Sequence, residues 1–147
     1  MTVALNADDL PTPRLTLPEG IQLARQLMIG TGNWQMRRAI HLLGFCQAGY
    51  WLRRFDRDWR VSVLEPPWVP EPTSVNWDRV VELLDTPGAL EDDDLEPGTM
   101  GPHLALLEIA TSLAVGRPVD LCRAARILPA ADWRDILARM ENAALHV

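Results

Sequence analysis

Residues 33–55 read NWQMRRAIHLLGFCQAGYWLRRF in this chain of 147 residues. Apolar side chains recur at helical spacing along two stripes, one from Met36 to Tyr50 and the other from Leu42 to Leu52. The pattern predicts one long helix over roughly residues 34–55. A helix that is apolar on more than one face is usually central in its bundle, so we expect the other helices to pack around this one.

Two glycines interrupt the apolar pattern of this predicted helix. Gly44 and Gly49 would each cost about 1 kcal/mol relative to alanine in a helix interior. We interpret both as sites where a neighbouring helix comes close, because a side chain would prevent that approach.

The other segments predict further helices. Thr16 and Glu19 fit a capping box at the start of the first helix, and Gly30-Thr31-Gly32 ends it. Later helix starts are indicated by Asn33, Ser74, Pro102, Asp120 and Pro129.

Together these segments predict an all-α fold, a single-domain bundle of about six helices. We expect a flexible N-terminal arm over residues 1–15 and one helical domain over residues 16–147. Within it, a Pro-rich extended connection covers residues 65–73 and an acidic loop covers residues 90–101. The residues expected in the core are Met36, Ile40, Leu43, Cys46, Leu107, Ala110, Leu113, Ile136, Leu137 and Met140.

The basic residues are all arginine: the chain has fourteen arginines and no lysine. This bias is typical of a bacterium with a GC-rich genome, although a guanidinium also pairs carboxylates and phosphates in a bidentate way. The net charge of −6 argues against a general nucleic-acid binder. Charge is polarised, because residues 34–60 carry six arginines against two aspartates and residues 61–110 carry one arginine against eleven acids.

Cysteine usage and the terminal sequence indicate the compartment. Cys46 and Cys122 are far apart in predicted helices, which is typical of reduced core thiols in a cytoplasmic protein. The N-terminal residues lack the basic and apolar regions of a secretory signal. The longest apolar stretch, residues 39–52, is shorter than the roughly twenty residues that span a bilayer. We therefore expect a cytoplasmic protein without membrane contact.

The first candidate binding surface combines aromatic and arginine side chains over residues 51–60. On a continuous helix its aromatics share one face, and a guanidinium beside an aromatic ring is typical of binding hot spots and of single-stranded nucleic-acid platforms. The alternative is that the aromatics enter the core while the arginines pair with the acids of residues 61–110. The residues concerned are Trp51, Arg53, Arg54, Phe55, Arg57, Trp59 and Arg60.

The second candidate surface carries Arg117, Arg123 and Arg126. Residues 106–128 are comparable to a degenerate helix-turn-helix, which would suit a DNA-binding transcriptional regulator. The comparison is imperfect, because the buried positions of the recognition helix would fall on Asp120 and Arg123, which are costly to bury unpaired. A plain helical corner is the alternative.

Catalytic and metal-binding patterns are sparse. The three histidines are isolated, no HExxH, CxxC or GxSxG arrangement occurs, and the acidic run 91–96 lacks the spacing of a calcium loop. We predict no catalytic residue, no metal site and no cofactor. An enzyme or small-molecule pocket near His41 and Cys46 is the third alternative.

The leading hypothesis is a non-enzymatic helical protein with an accessory or regulatory role. It would act by binding another protein or itself, with nucleic acid as a weaker alternative partner. The charge polarity and the six tryptophans favour it, because tryptophan and arginine are the residues most enriched at protein-binding hot spots.

Overall fold

The computed structural model describes residues 17–58, 61–63 and 72–145, of which 67% are helical. The all-α class is confirmed. The elements in chain order are α1 (Glu19–Met28), α2 (Trp34–Phe45), a 3-10 turn (Gln47–Gly49), α3 (Tyr50–Asp56), β1 (Ser62–Val63), β2 (Ser74–Val75), α4 (Trp77–Asp85), α5 (Met100–Val115), α6 (Leu121–Ile127) and α7 (Ala130–Leu145). The two short strands pair antiparallel. None of the described helices is long and apolar enough to cross a membrane.

Only some of the other predicted segments lie among the described residues. The N-terminal arm at residues 1–15 lies outside the described residues, and so does most of the Pro-rich connection at residues 65–73. Of the predicted acidic loop at residues 90–101, residues 90–99 lie in the non-helical segment between α4 and α5, and residues 100 and 101 begin α5.

Side-chain caps start several of the helices. The side chain of Asn33 accepts from the Met36 amide, and Asp120 accepts from the Arg123 amide, as predicted from the capping preferences of Asn and Asp. Three other start signals were wrong. Pro102 is the third residue of α5, which begins at Met100. Ser74 lies in β2, where Asn76 caps α4 instead, and α1 begins after Pro18 without a side-chain cap.

The predicted continuous helix over residues 34–55 is wrong, because α2 ends at Phe45 and α3 begins at Tyr50. Gln47, Ala48 and Gly49 between them have φ values of 53°, 55° and 69°. This left-handed region is costly for residues with a side chain and persists only where the surroundings hold it. The break adds a helix, so that the described residues contain seven α-helices where about six were expected.

A close contact of three glycines explains the break. A Cβ on Gly20 of α1 would lie 2.6 Å from the Gly44 carbonyl oxygen and 2.7 Å from the Gly49 Cα. A Cβ on Gly44 would lie 2.5 Å from the Ala24 Cβ. The interpretation of Gly44 and Gly49 as sites of close helix approach is therefore confirmed. Gly49, however, makes this close contact from the turn between two helices and not from a helix interior.

The core surrounds α2, which packs against α1, α5 and α7. Of the ten residues predicted in the core, six are buried and Met36, Leu113 and Met140 are partly buried against it. Leu137 is wrong, with 47% of its surface exposed. On α7 the inward face is that of Ile136 and Met140, as predicted, and Leu137 lies outside it.

Candidate functional site

The aromatic part of the first predicted surface lies in the core. Trp51 is 0% exposed and Phe55 2% exposed, so neither side chain is available to a partner. The Trp51 Nε1 donates a hydrogen bond of 2.6 Å to the His103 carbonyl oxygen on α5. The binding role predicted for these two residues is wrong, because α3 turns its aromatic face inward. Trp59 and Arg60 lie outside the described residues.

The arginines of this surface have separate roles. Arg54 lies over the Trp51 ring at 5.3 Å and donates to the Leu90 carbonyl oxygen (2.8 Å) and the Glu91 carbonyl oxygen (3.3 Å). It therefore binds the backbone at the start of the acidic segment and not its carboxylates. Arg53 donates to the Ala48 carbonyl oxygen, and Arg57 is exposed at the end of α3.

A polar cluster surrounds the strained turn at residues 47–49. The His103 Nδ1 lies 2.7 Å from the Gln47 Oε1, and the His103 ring stacks on Tyr50 at 4.0 Å. The Gln47 Nε2 donates to the Pro102 carbonyl oxygen and to Asp132. The Tyr50 hydroxyl donates to Asp92 at 2.6 Å. Since these partners are up to 85 residues apart in sequence, no local pattern could have indicated the cluster.

The hydrogen bonds of this cluster fix its proton positions. Because the Gln47 amide nitrogen donates elsewhere, its oxygen accepts and His103 Nδ1 carries the proton. Burial lowers the pKa of His103, which keeps the ring neutral at neutral pH. Burial, followed by the bond to Asp92, raises the pKa of Tyr50. The side chains of Gln47 and Tyr50 therefore connect the strained turn and the start of α3 to α5, α7 and the acidic segment.

The third alternative is an enzyme or small-molecule pocket near His41 and Cys46. Burial, together with Asp135, raises the pKa of the Cys46 thiol to about 12, which argues against Cys46 as a nucleophile. His41 stacks on Phe45 at 4.1 Å, and burial, with Arg139 nearby, lowers its pKa.

The two cysteines should differ sharply in alkylation. Cys46 is buried and protonated, whereas Cys122 is exposed on α6, contrary to the core position predicted for it. We expect iodoacetamide to modify Cys122 in the folded protein and Cys46 only after denaturation, because the thiolate is the reacting species. Peptide mass spectrometry measures both sites. Equal labelling of the two under native conditions would contradict the assignment.

Each arginine of the second predicted surface contacts another side chain of this chain. An Arg117 nitrogen lies 2.9 Å from an Asp85 oxygen, and an Arg123 nitrogen lies 3.7 Å from a Glu108 oxygen. Arg126 donates to the Cys122 sulfur. The connection over residues 116–120 is longer than the three to four residues typical of a helix-turn-helix, and α6 has seven residues. This geometry favours the helical corner.

An exposed apolar corner lies instead between α1 and α2. Ile29 is 74% exposed where α1 ends, and Trp34 is 57% exposed where α2 begins. The Arg37 guanidinium donates to the carbonyl oxygens of Met28 (2.7 Å) and Thr31 (3.1 Å), and its Cζ lies 5.7 Å from the Trp34 ring centroid. We call residues 29–37 the Trp34 corner.

The stretch of sequence that contains the Trp34 corner carries charges of one sign. No aspartate or glutamate occurs between Glu19 and Asp56 in the sequence. Arg25 is exposed in the last turn of α1, and Arg37 lies within the corner itself. The sequence analysis did not predict this site, although the absence of acidic residues over residues 20–55 could have indicated a positively charged surface.

Comparison with known proteins gives no match. No protein-family model, no curated protein and no solved structure resembles the chain. In the described ranges no group of three or more His, Cys, Asp or Glu side chains could hold a metal ion.

Proposed function

We propose that this protein is a non-catalytic binding protein and that the Trp34 corner is its contact with a partner protein. The observation that carries the proposal is an exposed tryptophan beside an arginine that is already fixed. Ordinary surfaces leave single apolar side chains exposed, but here Ile29 and Trp34 flank one turn.

The bonds of Arg37 make the corner favourable for binding. The carbonyl oxygens of Met28, at the end of α1, and of Thr31, in the connection that follows, bind the guanidinium. The cation next to the Trp34 ring is therefore already immobilised before a partner binds. Immobilising a free arginine on binding would cost about 0.5–1.5 kcal/mol. Tryptophan and arginine dominate binding hot spots because they combine a large contact area with weak hydration.

The charge of the corner indicates the chemistry of the partner. A surface with arginines and no nearby acid in sequence attracts a negatively charged segment, and the exposed Ile29 and Trp34 provide a contact for an apolar side chain. We therefore propose an acidic segment that carries an aromatic or aliphatic anchor. The exposed acidic segment of a second copy of this chain, which contains Leu95 between Asp94 and Glu96, has this composition.

The proposal is tested by selecting a random-peptide display library against the purified protein. We expect the enriched peptides to place an aromatic or aliphatic residue among aspartates and glutamates. Their affinity is measured by fluorescence polarisation on wild type and on Trp34→Ala. The substitution should weaken binding by about tenfold or more, which corresponds to about 1.4 kcal/mol.

The matched control is Leu121→Ala, because Leu121 is 52% exposed on α6, away from the corner in sequence. This variant should bind the peptides as wild type does. A synthetic peptide of residues 89–98 tests whether the acidic segment of this chain is itself a ligand. Enriched peptides without acids, or equal affinities for wild type and Trp34→Ala, would overturn the proposal.

A further inference from the structure

A cleft of about 220 Å³ opens between the end of α4, the segment that follows it, α5 and α6. Its walls are about half apolar and half polar, and the apolar part includes Leu84, Leu90, Leu104 and Ile127. The Leu90 side of the cleft is held in place by Arg54, which donates to the Leu90 and Glu91 carbonyl oxygens. The cleft is therefore held open by contacts of the fold itself, and it shares no residue with the Trp34 corner.

Glu108 is the one unusual residue in this lining. It is the single acid or arginine among the sixteen residues of α5, and its side chain is only 26% exposed. Its nearest cation is Arg123 at 3.7 Å, which is too long for a hydrogen bond. Among the described residues no group donates a hydrogen bond to the Glu108 carboxylate. The half-buried carboxylate is still reached by water, and a charged donor from a ligand would replace that water with a stronger hydrogen bond.

The charges at the cleft favour a cation over an anion. Glu91 and Glu108 line it, while Arg123 is the only basic side chain in the lining and is 65% exposed. The balance is negative, and the acidic segment begins at Glu91. An incoming ammonium group would meet two carboxylates, whereas an incoming carboxylate would meet their repulsion.

We propose that this cleft binds a small primary amine with a hydrocarbon body. The ammonium group would donate to the Glu108 carboxylate in place of the distant Arg123, and the hydrocarbon would lie against the leucines. Hydrogen bonds between charged groups are the strong ones, and the partial burial of Glu108 reduces the competition from water.

The experiment compares three probes of similar size: phenethylamine, phenethyl alcohol and hydrocinnamate. Binding is followed by NMR titration, with methyl shifts at Ala124 and Ile127 reporting occupancy of the cleft. We expect the amine to bind at least about tenfold more tightly than the alcohol and the carboxylate. An amine that binds no more tightly than the alcohol, or that shifts methyl groups elsewhere, would overturn the proposal.

Two variants change the affinity in opposite directions. Glu108→Gln should weaken amine binding by about tenfold and leave alcohol binding unchanged, because it removes the charge and keeps the volume. Arg123→Gln should tighten amine binding, because it removes the cation that competes for Glu108. It replaces an exposed side chain, so folding is retained even if Glu108→Gln is unstable. Glu96→Gln, outside the cleft, is the matched control and should bind as wild type does. Unchanged amine affinity in Arg123→Gln would contradict the assignment.

Discussion

Replacing Trp51 with alanine should lower the free energy of unfolding by about 3–5 kcal/mol, the range for a buried tryptophan. The side chain is fully buried, stacks near Phe55 and carries Arg54 over its ring. Its loss would also leave the His103 carbonyl oxygen without the Trp51 donor. The loss of this one hydrogen bond adds about 0.5–1.5 kcal/mol, which places the expected loss toward the upper end.

Urea unfolding of wild type, Trp51→Ala and Trp34→Ala measures this difference. Trp34 is the matched control because it is a tryptophan with 57% of its surface exposed, and its substitution should change stability by no more than about 0.5 kcal/mol. A loss below about 1 kcal/mol for Trp51→Ala would mean that this ring is not packed in the core.

Replacing Gly20 with alanine should lower the free energy of unfolding by about 2–3 kcal/mol, in the upper part of the range for overpacking. The new Cβ would lie 2.6 Å from the Gly44 carbonyl oxygen and 2.7 Å from the Gly49 Cα. Both are backbone atoms, so relief requires α1 to move away from α2 and from the turn. This cost exceeds the preference for alanine over glycine in helices, which is at most about 1 kcal/mol.

Gly32→Ala is the matched control, since no atom lies within 4 Å of the Cβ position at that glycine. Thermal and urea unfolding of the two variants should separate them clearly. If Gly20→Ala were as stable as Gly32→Ala, the close contact of α1 with the α2–α3 turn would be refuted.

The sequence predicted the elements that depend on local chemistry. Asn33 and Asp120 cap helices because their side chains reach a backbone amide three residues away, an interaction that needs no distant partner. Periodicity likewise indicated that Ile40, Leu43 and Ala110 face the core. Gly44 and Gly49 indicated a close helix contact, because glycine in an apolar pattern is otherwise costly.

The sequence did not predict which aromatic residues are exposed. Trp34 and Trp51 both lie in helices within the same apolar stretch, and their burial depends on which helix packs over each of them. The break at residues 46–49 depends equally on distant contacts. Periodicity continues through it, and the left-handed residues are held by the bonds of Gln47 to Pro102 and Asp132.

The sequence alone therefore determined the all-α class, several helix starts and part of the core, since propensity, capping and periodicity act within a few residues. Only the tertiary structure decided that α3 turns Trp51 inward, that Arg54 holds the acidic segment and that Glu108 lines a cleft. These features join residues that are far apart in sequence, and they arise when the helices pack. The Trp34 corner depends on both levels. Its positive charge is visible in the sequence, but the exposure of Ile29 and Trp34 follows from the packing.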